Sequence, residues 1–270
     1  MGDLQTDQGD SLELRFVPVS EFARVVTANA DPVSKAAAFA ALARINTLYM
    51  IAGAWSGHIG TSFSSLEIMS WLFLNELRDL DKGADACDVF FSSKGHDAPA
   101  LYSVLLGLGL LSADKLHQLR RIGGLPGHPH VETPYIQANT GSLGMGISKA
   151  KGMALANRMA HRERRIFVLT GDGELQEGQF WESLGSAANL RLGEIVAIVD
   201  RIASAPFDPR LDRPVLTQHR GIIYQGQTLG ARASSLYYHL VSKTNRMQGR
   251  CRVVTTDWAA LWWCIPAIPS

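Results

Sequence analysis

The segment 165–202 constrains the fold of this 270-residue chain more than any other stretch. It reads as a β-strand (RIFVLT), the turn Gly171-Asp172-Gly173-Glu174-Leu175, a helix and a second β-strand (EIVAIVD). Strands that alternate with helices form parallel sheets with helices on both faces. Ligands of such sheets bind outside the carboxyl ends of the strands. The segment therefore predicts an α/β fold with a binding site at this turn.

The turn combines room with negative charge. Gly171 and Gly173 let the backbone approach an anionic group closely, and the Asp172 carboxylate can bind a divalent cation. Mg²⁺ on a diphosphate takes only one or two protein side chains. A second oxygen ligand is expected just after Asp200, where the sequence has Arg201 and Ile202 instead. The pattern predicts a nucleotide or diphosphate site, and a capping role for Asp172 remains the alternative.

The apolar spacing elsewhere predicts the other elements of this domain. Helices are expected over 33–55 and 64–77, the second capped by Ser64 and Ser65. Further expectations are a strand over 88–93, helices over 99–111 and 149–160, and an ordered loop over 120–140.

The chain changes character near residue 200. Residues 201–270 hold nine Lys plus Arg against three Asp and no Glu, whereas residues 1–200 hold 17 basic against 22 acidic residues. We therefore expect a disordered start over 1–14, one domain over 15–200, and an atypical tail over 201–270.

Composition excludes several classes of protein. A net charge of +1 argues against a nucleic-acid partner. No apolar run approaches the roughly 20 residues of a spanning helix, and the polar start differs from a secretory signal. We expect no membrane role and a cytoplasmic location. Cys87, Cys251 and Cys264 are too widely spaced for a disulfide framework or a zinc site.

Four turns besides Gly-Asp-Gly carry histidine or clustered glycine, at 56–60, 93–96, 127–129 and 141–144. Any one is weak, but together they indicate a site. His58, His96 and His128 can donate to diphosphate or sugar oxygens and can transfer protons near pH 7. Metal binding by these histidines is disfavoured, because no acidic or thiol ligand accompanies them at zinc spacing.

Two further features have a plain structural alternative. The turn 141–144 opens a helix, so its N–H groups either meet an anion or form an ordinary N-terminus. Glu174 and Glu177 lie at the start of the next helix, where the helix dipole favours acids. For Glu174 the structural interpretation is preferred.

Five motifs occur in a fixed order between Ala36 and Asp200: SGHIGTSFSSLEI, SSKGHDAPALY, LPGHPH, NTGSLGMGIS and GDGELQEGQFWE. In combination they are specific. The chain resembles the thiamine-diphosphate-binding, N-terminal subunit or domain of transketolases, especially those encoded as two chains.

The resemblance implies a thiamine diphosphate-binding fold, a cofactor site and an activity. A two-carbon ketol unit would pass from a ketose to an aldose, usually sugar phosphates, with thiamine diphosphate and Mg²⁺. The implied roles are Asp172 on the metal, Gly173 and His96 at the diphosphate, Gly141, Ser142 and Leu143 along the cofactor, His58 and His128 at the sugar, and Glu177 as an acid at the subunit interface.

The resemblance also implies a partner. In this family the glutamate that activates the cofactor lies in a pyrimidine-binding domain, for which this chain is too short after residue 200. We therefore expect the partner to be a transketolase C-terminal subunit, in a dimer of heterodimers.

Three positions depart from the family pattern. Ile59 replaces a proline and Met145 a glutamine, and neither supplies an expected bonding atom. Ile202 replaces an asparagine that binds the metal, and isoleucine cannot coordinate Mg²⁺. We therefore expect weakened metal and cofactor affinity.

From Arg201 onward the family is not recognisable. A reading-frame change near codon 201 and real divergence are both open explanations. Either one predicts an unpaired sheet edge and an aggregation-prone end, LWWCIPAIP.

Two rival functions remain. One is another thiamine-diphosphate enzyme, such as 1-deoxyxylulose-5-phosphate synthase or a dehydrogenase, although the LPGHPH loop favours transketolase. The other is a non-catalytic remnant or paralogue that binds a partner subunit without sugar turnover. Ile202 and the tail are its support.

Overall fold

The computed structural model describes residues 14–200 and 252–255. Four strands form one sheet in the order β1-β2-β3-β4, and every neighbouring pair is parallel. The strands are β1 (Val89–Ser92), β2 (Ile166–Gly171), β3 (Ile195–Asp200) and β4 (Arg252–Thr255). The α-helices of the described residues are α1 (Val19–Thr27), α2 (Pro32–Ala54), α3 (Ile59–Trp71), α4 (Ala98–Gly107), α5 (Gly146–Met159) and α6 (Gly178–Asn189).

The core lies on both faces of the sheet, because successive side chains of each strand point to opposite sides. Phe90 and Phe167 pack with buried residues of α1, α2, α3 and α4. Phe91 and Val168 face the other way and pack against α5 and α6. Helices therefore cover both faces, and the expected α/β fold is confirmed.

Helix α2 is apolar on nearly all sides. Asp31 caps it, since one carboxylate oxygen accepts hydrogen bonds from the amides of Val33 and Ser34, each at 3.0 Å. Contrary to the sequence expectation, the helix is long and apolar enough to span a membrane by length and composition alone. Eight of its residues are buried in the core, which explains much of that character. On its outer side Ile45 and Leu48 are each 46% exposed.

Helix α3 begins earlier than predicted. It starts at Ile59, so Ser64 and Ser65 lie inside the helix and the predicted cap is wrong. Their hydroxyls donate to the Thr61 carbonyl at 3.1 and 2.7 Å instead. The prediction relied on the apolar run from Leu66, but Thr61 is already buried. Helix α1 was not predicted at all.

Strand β4 comes from the atypical tail. It pairs in parallel with residues 196–199 of β3, so the prediction of an unpaired edge beside β3 is wrong. The short run RVVT is rich in β-branched valine and threonine, which favour strands. Ile202, the LWWCIPAIP end and the start 1–13 lie outside the described residues.

Candidate functional site

Two of the predicted histidines meet at the carboxyl end of the sheet. His58 precedes the first turn of α3, and His96 lies in the turn after β1. Their ring centroids are 5.0 Å apart in an edge-to-face arrangement. His96 Nδ1 lies 3.0 Å from the Lys94 carbonyl oxygen. A carbonyl only accepts, so Nδ1 carries the proton and Nε2 is left for a ligand.

His128 joins this pair from the loop before α5. A Cβ placed on Gly141 would lie 2.7 Å from His128 Cδ2, so the ring packs directly on that glycine. Partial desolvation lowers the pKa of His128, and the nearby Arg120, His96 and His58 lower it further. The structure thus brings the three predicted histidines together and keeps His128 neutral near pH 7.

The turns that carry these residues touch through their backbones. A Cβ on Gly95 would lie 2.6 Å from the amide nitrogen of Gly141. Both glycines have positive φ, +72° at Gly95 and +120° at Gly141. Only glycine combines that conformation with so close an approach. The turn after β1 and the turn before α5 therefore form one continuous surface.

Glu174 holds this surface together, and the sequence analysis missed that role. Its buried carboxylate accepts hydrogen bonds from the amides of Gly144 and Gly171, both at 2.9 Å, and from the Ser93 hydroxyl. It therefore ties together three turns at the strand ends. The structural interpretation was right, but the helix dipole was the wrong reason. An acid three residues after a helix-capping position was the available signal.

Asp172 and Gly173 lie at the exposed top of this surface. Asp172 Oδ1 accepts from the Gly173 amide at 2.9 Å. Gly171, not Asp172, occupies the capping position of the short turn Asp172–Gln176. A Cβ on Gly173 would meet no atom within 4 Å, so open space lies beside it. The partly exposed carboxylate is therefore free to bind a cation, with room for an anionic group beside it.

The other predicted residues lie at the rim. Ser142 and Leu143 are exposed in the turn before α5. Glu177 is exposed at the start of α6, and its Cβ would be 2.6 Å from a Cβ on Gly144. Every predicted site residue thus lies at one end of the sheet. The position of Ile202 is not among the described residues.

A buried ionic cluster lies beneath the site and was also missed from the sequence. Lys94 Nζ lies 2.6 Å from Asp200 Oδ2 and 3.2 Å from Asp97 Oδ2. Burial disfavours the ammonium, but the two carboxylates outweigh burial and raise the pKa of Lys94. The lysine is therefore charged at neutral pH.

Comparison with known proteins identifies the family. Residues 35–204 match the sequence model of the family described as transketolase, thiamine diphosphate binding domain. The chain belongs to the transketolase family. It is 38% identical over 186 residues to the transketolase of Homo sapiens, covering 67% of this chain and 29% of that protein. It is 39% identical over 150 residues to a subunit of the apulose-4-phosphate transketolase of Phocaeicola vulgatus, covering 54% of this chain and 53% of that protein.

Solved structures agree on the fold. Transketolase from Campylobacter jejuni superposes with a TM-score of 0.67 at 24% identity, over 80% of this chain and 36% of that chain. The chain spans at most about half the length of these curated relatives, with 29% of the human protein and 53% of the bacterial protein covered. Family membership establishes a thiamine diphosphate-binding domain, and the roles of individual residues stay predictions.

Proposed function

We propose that this chain is the N-terminal subunit of a transketolase, which transfers a two-carbon ketol unit from a ketose to an aldose. The proposal includes thiamine diphosphate, Mg²⁺, sugar or sugar-phosphate substrates and a partner chain with the pyrimidine-binding domain. One observation carries it. The turns with His58, His96, His128 and Gly141 converge at the strand ends beside Asp172.

The residues present suit a metal diphosphate. Asp172 offers a partly exposed carboxylate to Mg²⁺, and the open space at Gly173 admits phosphate oxygens. His96 would donate from Nε2 to a phosphate oxygen. Because Nδ1 already donates to the Lys94 carbonyl, this contact requires the doubly protonated ring. Gly141, Ser142 and Leu143 would line the cofactor. When bound, thiamine diphosphate supplies the carbanion chemistry of ketol transfer.

His58 and His128 would orient the sugar and exchange protons with its hydroxyl groups. A neutral imidazole can accept a proton at one nitrogen while donating from the other. The lowered pKa of His128 favours that neutral form at pH 7. These two residues would therefore serve as binding groups and as proton acceptors.

A partner chain follows from length and from exposure. The human relative is more than three times as long as the matched region, and the bacterial relative is named as one subunit of a transketolase. Glu177 and Leu143 lie exposed at the rim, where a second chain would complete the site. We propose a dimer of heterodimers with a C-terminal transketolase subunit, in the cytoplasm.

Calorimetry tests the proposal directly. Thiamine diphosphate is titrated with Mg²⁺ into the chain mixed with the C-terminal subunit of a two-chain transketolase. We expect saturable binding that requires Mg²⁺ and that Asp172→Ala abolishes. Glu182→Ala, on the exposed side of α6, is the matched control and should bind normally.

The variant Ile202→Asn adds the missing oxygen ligand. We expect it to tighten Mg²⁺ binding about tenfold or more, the range that single metal-site contacts usually contribute. A folded chain that binds the partner but never the cofactor, even with Ile202→Asn, would contradict the proposal. That result would favour the non-catalytic paralogue, which Ile202 itself supports.

A further inference from the structure

The side chain of Lys94 connects strands that are not neighbours. Lys94 follows β1 and reaches Asp200 at the end of β3, with Nζ 2.6 Å from Oδ2. Between β1 and β3 lies β2, whose last residue Gly171 is in register with Asp200. A Cβ on Gly171 would lie 3.1 Å from Lys94 Cδ. The lysine therefore packs against the residue that precedes Asp172.

The ammonium also contacts helix α3. Ser65 Oγ lies 2.6 Å and Thr61 Oγ1 lies 3.0 Å from Lys94 Nζ. Ser64 Oγ donates to the same Asp200 oxygen at 2.6 Å. The ends of β1 and β3 and the first turns of α3 thus share one charged centre.

This centre is buried and formally carries one negative charge. The side chains of Lys94, Asp97 and Asp200 are 2%, 0% and 4% exposed. Asp97 Oδ2 also accepts from the hydroxyls of Ser92 and Ser65, at 2.8 and 3.0 Å. Its other oxygen has no hydrogen-bond partner within the described part of the chain. A buried ion pair that loses one partner is strongly destabilising, so the cluster resists rearrangement.

We propose that Lys94 is a positioning residue of the cofactor site. It holds the ends of β1 and β3 together across β2 and thereby fixes the backbone that presents Asp172. The inference rests on the proposed function, because Asp172 is the expected metal ligand there. Residues that orient metal ligands without touching the metal typically change affinity 10- to 100-fold when replaced. With Ile202 in place of asparagine, placement of Asp172 matters more.

Three variants separate positioning from stability. Lys94→Met removes the ammonium and leaves two buried carboxylates, so Tm should fall by roughly 10 °C. Lys94→Met with Asp200→Asn restores the formal charge of the cluster to −1 and should recover most of that loss. Lys82→Met removes an exposed lysine that pairs with Asp79, far from the strand ends in sequence, and is the control.

Two readouts are then compared. Amide hydrogen exchange is measured on the chain alone, at residues 171–173 and 198–200. The Kd for thiamine diphosphate with Mg²⁺ is measured by calorimetry with the partner subunit. In both Lys94 variants we expect at least tenfold faster exchange and at least tenfold weaker binding, even where Tm has recovered.

The outcomes are distinct. If the double variant regains native exchange and affinity together with its Tm, Lys94 merely neutralises Asp200 and the inference is overturned. If the unmodified chain never binds the cofactor, the proposed function fails. The exchange measurement on the chain alone still decides whether Lys94 fixes the strand ends.

Discussion

At the residue scale, single side chains below the surface set the shape of the site. Glu174 and Lys94 do not belong to the set expected to touch ligand, yet each joins three separate segments. The sequence motifs indicated which residues face the ligand, because histidines and glycines at strand ends have few other uses in combination. They did not indicate the supporting contacts, since a buried Lys–Asp pair depends on which strands become neighbours.

Replacing Glu174 should reveal its supporting role. Glu174→Ala leaves the Gly144 and Gly171 amides and the Ser93 hydroxyl without their acceptor. We expect the free energy of unfolding to fall by about 3 kcal/mol, the scale of buried polar groups left unpaired. Urea unfolding measures the change, with exposed Glu182→Ala as control. A loss below about 0.5 kcal/mol, as for ordinary surface changes, would show that these bonds matter little.

His128 offers a test by pH. Its pKa lies below the ordinary 6.5 through desolvation and through positive neighbours, of which Arg120 comes first. As pH falls below about 6.5, the unfolded chain binds this proton first. The contribution of His128 to stability is therefore complete above pH 6.5 and is lost as pH falls towards its folded-state pKa.

NMR titration should show the effect of Arg120. In Arg120→Gln we expect the His128 pKa to rise towards 6.5, because one repelling charge is gone. Arg121→Gln is the matched control, since Arg121 is exposed and its guanidinium donates to the Gly53 carbonyl at 3.5 Å. Equal shifts in both variants would argue against a specific contact with Arg120.

At the element scale, the sequence predicted the strands more accurately than the helix ends. The runs before Gly171 and Asp200 are apolar, β-branched and bounded by turn residues, so β2 and β3 appear almost as expected. The start of α3 was misplaced because its first turns bury Thr61 and Ser62 rather than large apolar side chains. β4 was missed because four residues carry too little pattern within an atypical tail.

Turn contacts between elements give an element-scale prediction. Gly95→Ala would place a methyl group 2.6 Å from the backbone of Gly141, at a φ of +72°. We expect a loss of about 2 kcal/mol or more from strain and displacement of the two turns. Gly152→Ala, in α5 with nothing within 4 Å of its Cβ, should instead stabilise the chain by roughly 0.5–1 kcal/mol. Thermal unfolding compares the two, and losses of equal size would contradict the account.

At the scale of the whole molecule, the family and the fold followed from sequence, while assembly remains a proposal. The parallel sheet, the two-sided core and the clustered turns agree with the resemblance, and the family match covers 35–204. The tail could not be anticipated in the same way. Its composition gave no period, and only β4 of residues 201–270 is described.

The outer side of α2 has a consequence for the life of the chain in the cell. Between Lys35 and Trp55 the helix carries a single charge, Arg44, and that side chain is paired with Glu67. Ile45 and Leu48 are half exposed, and Trp55 just beyond the helix is 95% exposed. A copy made without whatever normally covers this side presents the kind of surface that chaperones and proteases recognise. Its abundance should therefore follow the supply of that cover rather than its own rate of synthesis.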